Sequence, residues 1–185
     1  MENQFFSELK RLKWGVLFAT LTILYGFGMG GFFGANEKAI KTHLADEGKA
    51  ALEVQYKGDE AAMNKVVSKS WSYFKRSHLH GGAIGAASLA LILLLGAMYR
   101  KPLLRTVTSI ALGFGGLGYS VFWMLAGLTA PGIGGTGAAK DSLEWLAVPT
   151  ASMLLLGIIS VVVLVVTELF LTSSVVEEKL EEVEA

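Results

Sequence analysis

The chain has 185 residues, 52% of them apolar, with 16 basic and 16 acidic side chains and no net charge. A mean hydropathy of +0.51 puts it in the membrane class, and balanced charge without a basic stripe gives nucleic acid no footing. The absence of cysteine excludes disulfides, thiolate metal sites and cysteine nucleophiles.

Four apolar runs are long enough to cross a bilayer, at about 1.5 Å per helical residue against roughly 30 Å of hydrocarbon. The first covers 14–33, behind Lys10, Arg11 and Lys13 and opened by Trp14, as interfacial anchors prefer. Its apolar core exceeds that of a signal peptide and no Ala-x-Ala site follows, so it reads as a retained anchor. Gly26, Gly30 and Gly34 recur at spacing four, which suits close helix contact.

Residues 35–77 read as an extramembrane cap of two amphipathic helices, broken at Gly58-Asp59. Ile40, Leu44, Ala51 and Leu52 share one face of the first. Met63, Val66, Val67, Ser70, Trp71 and Phe74 follow the i, i+3, i+4, i+7 rule on the second. Mixed charge favours a cap packed on protein over one lying on lipid.

The second span covers 79–98, and Pro102 suits the first turn of the third, 103–130. That span holds Gly113, Gly115, Gly116 and Gly118, with Tyr119, Ser120 and Trp123 as polar handles. Pro131 to Gly137 reads as a flexible loop, 143–171 as the fourth span with a kink at Pro149, and 175–185 as an acidic tail. Three basic residues precede span one, three (Arg100, Lys101, Arg105) separate spans two and three, and one (Lys140) precedes span four. Counted over these short segments the bias puts both termini in the cytoplasm and the cap outside, in what reads as a cell inner membrane, while the lysine-rich 35–77 segment, still within the counting rule, argues the other way. The expected fold is therefore an all-α integral membrane protein: a four-transmembrane-helix bundle with an extramembrane amphipathic helical hairpin between spans one and two.

The chemistry centres on Arg76-Ser77-His78-Leu79-His80-Gly81-Gly82. Residues two apart on a helix point about 200° apart. His78 then continues the Val67, Trp71, Phe74 stripe and shares a face with Gly81, Gly82 and Gly85. His80 turns the other way with Arg76, Ala83, Ile84 and Ala87. A bare glycine face with an imidazole at its edge suits a flat macrocycle, so a b-type haem or a metal ion on His78 and His80 is one expectation. His43, the third histidine, is the candidate second axial ligand, and Arg76 the partner of a propionate. The competing reading makes both histidines interfacial groups bonded to headgroups or Ser77, and a third gives them a proton- or quinol-handling role.

The His-x-His opening of an apolar helix resembles those of several haem- or metal-binding membrane families, including relatives of the haem–copper oxidase core subunit. The likeness covers under ten residues, and it departs from those families in having no histidine on spans one, three or four. That removes ligation by two spans of one chain and assigns no family. Glu168 is a lone carboxylate in an apolar run near the cytoplasmic end. The Gly132–Gly137 run lacks the strand that a phosphate-binding loop needs.

Two function classes follow. One is a small membrane subunit of an electron-transfer assembly with haem near the outer face. The other is a non-catalytic scaffold, packing on larger subunits or on its own copies through glycine faces. Without inverted repeats or polar residues in mid-span, solute transport has little to line a path.

Overall fold

In lipid a backbone must satisfy its own hydrogen bonds, and long apolar runs without proline breaks do so as helices. The computed structural model describes residues 4–98 and 100–171, so the acidic tail lies outside the described residues. The elements are α1 (Gln4–Arg11), α2 (Lys13–Ala50), α3 (Leu52–Tyr56), α4 (Glu60–Gly96), α5 (Pro102–Thr129), α6 (Thr136–Ser142) and α7 (Glu144–Val166). A π-helical turn, Thr167–Leu171, ends the series and carries Glu168. There is no strand among the described residues. Four helices, α2, α4, α5 and α7 with its π turn, are long and apolar enough to cross a membrane. Their outward side chains include Leu24, Phe27, Leu155, Leu156 and Val162, all more than half exposed, a surface compatible with lipid and unlike that of a soluble monomer.

The cap is built differently from two separate helices. The first-span helix runs on through it to Ala50, bent only at Asn36 (φ −126°, ψ 16°), where the side chain donates to the Phe32 carbonyl at 3.0 Å. The second-span helix begins inside it at Glu60. The expected break stands at Lys57 and Gly58, both with positive φ, after which Asp59 caps α4 by accepting from the Ala62 amide at 2.9 Å. The amphipathic faces meet: Ile40 and Leu44 pack with Phe33 and Phe74, and Ala51 and Tyr56 with Met63.

Helix α5 packs on α2, α4 and α7. Pro102 opens it as expected. Its glycines all face neighbours: Gly113 meets Gly15 and Phe18 of α2, Gly116 meets Ile84 of α4, and Gly115 and Gly118 meet Thr150 of α7. The loop after α5 is pinned. Tyr56, buried in the cap, donates to the Pro131 carbonyl at 2.8 Å, and Gly134 (φ +83°) sits against Gln55. Helix α7 runs through Pro149.

Burial pushes the Tyr56 phenol above its ordinary value. A raised folded value means that the Tyr56 contribution is whole below about pH 10 and fades as pH climbs through the folded pKa. Tyr56→Phe should therefore cost about 1 kcal/mol at neutral pH and flatten the alkaline limb of a thermal-stability profile. An unchanged alkaline limb would show that the phenol carries none of it.

The N-terminal segment also differs from a plain polar lead. It forms α1, whose Leu9 and Phe5 lie against Gly96 at the end of α4. Glu8 of α1 bonds Arg105 of α5, a side chain only 1% exposed, which also donates to the Leu95 carbonyl at 3.0 Å. Arg105 is thus a buried strut and not a loop charge.

Candidate functional site

His78 sits where α2 crosses α4. Its Nδ1 donates to the Gly26 carbonyl at 2.6 Å; a carbonyl only accepts, so Nδ1 carries the proton and Nε2 keeps its lone pair. The ring lies over Gly30, where a Cβ would come within 2.6 Å of its Cε1, and meets the Phe33 ring edge-on at 6.4 Å. Beside it Tyr25 donates to Ser77 (2.5 Å) and Ser77 to the Ser120 carbonyl (2.8 Å). That chain of hydroxyls ties α2, α4 and α5 together one residue from the histidine.

The glycine face expected beside His78 is real, and another helix occupies it. A Cβ on Gly81 would stand 2.7 Å from the Gly26 Cα, and one on Gly85 would meet Ile23. Gly82 faces away into open space. A macrocycle cannot lie flat on Gly81 and Gly85 while α2 does. His43 is exposed and lies 13 residues beyond Gly30 on the same helix, about 20 Å along its axis. No group of three or more metal-ligating side chains occurs among the described residues. The residues fit one axial imidazole whose tautomer is fixed by a backbone carbonyl, as metal-bound histidines are commonly held. They do not fit a bis-histidine haem within one chain.

His80 goes the other way, as its spacing requires, into an aromatic cluster between α4 and α5. It stacks on Tyr119 (centroids 5.4 Å, 16°) and stands perpendicular to Trp123 (6.0 Å, 88°). Tyr73 and Phe122 complete the packing around Trp123 at 4.9 and 5.1 Å. The Arg76 guanidinium lies 4.2 Å above the Trp123 ring, a cation–π contact in place of the propionate expected of it. Two buried polar atoms in this cluster, His80 Nδ1 and Trp123 Nε1, have no hydrogen-bond partner.

The sequence had marked Arg76 and His80 as neighbours on one face and Tyr119 and Trp123 as polar handles. Nothing in it brought the two pairs together, because the register between α4 and α5 is set by Gly116 and Gly127 against Ile84, Ser70 and Phe74. Glu168 lies in the π turn, half-buried and remote in sequence from every histidine. The Gly132–Gly137 run is a pinned turn leading into α6. No family model, curated protein or solved structure matches the chain.

Proposed function

We propose that the chain is a small integral membrane subunit of an electron-transfer assembly. Its four long helices form the transmembrane bundle, and the projecting ends of α2 and α4, with α3, form the extramembrane hairpin. Lys10, Arg11 and Lys13 before the first span and Arg100 and Lys101 between α4 and α5 favour cytoplasmic termini and an outer hairpin in a cell inner membrane, against the lysines of the hairpin itself.

The observation that carries the reading is the His78 Nδ1 to Gly26 carbonyl bond, which turns Nε2 into a ready ligand. A b-type haem bound there would supply one-electron transfer. Gly26 fixes the tautomer and Gly30 leaves room for the ring. The chain brings no second imidazole near, so a sixth ligand would come from a partner subunit or a second copy.

Detergent-purified protein should show a Soret band of five-coordinate character, lost in His78→Ala and kept in His80→Ala and His43→Ala. Colourless protein from haem-replete cells would overturn the haem assignment.

The scaffold reading has one observation of its own. Gly28, Gly31 and Gly34 have nothing within 4 Å of where a Cβ would stand, so α2 keeps a bare face on which a larger membrane subunit could pack closely.

A further inference from the structure

We propose that the groove between α1 and the head of α2 is a binding site for an anionic phospholipid, independent of any group on His78. Helix α1 lies with Phe5 and Leu9 against Gly96 at the end of α4. Beside this berth runs a groove of about 460 Å³, of the order of a small-ligand site (roughly 300–1,000 Å³). Leu9 and the exposed Phe6 of α1, Leu17 and Thr20 of α2 and Leu93 of α4 supply its lining. Lys10 and Lys13 belong to the same lining, and both are exposed.

Charge is segregated along the groove, and that selects the occupant. Lys13 stands at its head, its ammonium 5.8 Å from the centre of the Trp14 ring, a tryptophan placed as interfacial anchors are. Thr20 lies seven residues on, about 10 Å further down the α2 axis, so the groove runs from the headgroup level into the hydrocarbon. None of the lining side chains is acidic. The acid of α1, Glu8, is held by Arg105 and Arg11. A ligand that matches this layout is anionic at one end and an alkyl chain below it, which describes an acidic phospholipid with its phosphate on the lysines. A zwitterionic lipid would set its own ammonium beside theirs and lose much of that attraction.

The test is native mass spectrometry of the full chain in detergent with phosphatidylglycerol and phosphatidylcholine of matched acyl chains. The anionic lipid should bind about 25-fold more tightly, about fivefold for each lysine. That preference should vanish in Lys10→Gln/Lys13→Gln and persist in Lys65→Gln/Lys69→Gln, which removes the same charge from exposed positions of α4 in the hairpin. Glycerol 3-phosphate, the headgroup without its chains, should not displace the lipid. Equal binding of the two lipids, a preference that survives the Lys10/Lys13 substitution, or an equal loss in the Lys65/Lys69 variant would each overturn the proposal. Displacement by glycerol 3-phosphate would overturn it too, by showing a phosphate site with no use for the groove. The lipid comparison on the unaltered chain needs no variant to fold.

Discussion

Gly26→Leu should destroy the packing of the molecule: in mild detergent the variant no longer elutes as one sharp species and loses its cooperative thermal transition. A Cβ at position 26 would stand 2.6 Å from the Gly81 carbonyl carbon and press on the Gly82 amide nitrogen. Both are backbone atoms of α4, so no rotamer change relieves the clash. Overpacking of this kind costs about 3 kcal/mol where side chains can yield, and here the two helices must part. Parting them also breaks the His78 to Gly26 bond and opens the Tyr25–Ser77–Ser120 chain. Gly28→Leu is the control, because its Cβ meets nothing. It should fold as the parent does, and a collapse of both variants alike would show that α2 tolerates no added bulk for reasons other than this crossing.

Arg105→Met carries the second large effect. It leaves the Glu8 carboxylate at a largely covered site with only the exposed Arg11, 3.7 Å away, as its cation, and takes the guanidinium donor from the Leu95 carbonyl, which keeps the Met98 amide. Breaking a buried pair from one side costs about 3 kcal/mol, readable as a lower thermal midpoint. The double variant Glu8→Gln/Arg105→Met should recover more than half of that loss, because what destabilises is a largely covered carboxylate left with only the more distant, exposed Arg11. If the double variant is no better than the single, the guanidinium stabilises through its carbonyl bond and stem packing alone.

The long apolar runs at 14–33, 79–98, 103–130 and 143–171 were legible because lipid admits few structures, and each lies within or along one of the four long helices. The stripe of Met63, Ser70 and Phe74 is buried as its period demanded. Continuity across the cap was not legible: Gly34, Asn36 and the charged residues after them look like a boundary, yet one bent helix passes through. Nor was the docking of α1, an octet too short for its pattern to be told from a polar lead. The site divided in the same way. Helical spacing alone sent His78 and His80 to opposite faces. What each face met depended on Gly26 and Gly30 for the one and Tyr119 and Trp123 for the other, and contacts between helices distant in sequence leave no local trace.

The Glu8–Arg105 strut also imposes an order on how the chain is made. Its two ends are 97 residues apart, so at a synthesis rate of about 5–20 residues per second the acid waits roughly 5 to 20 seconds on the ribosome's clock before its base is translated. Until α5 has been handed to the membrane, the N-terminal helix has only its contact with the end of α4 to hold it, and its docking is completed late in biogenesis.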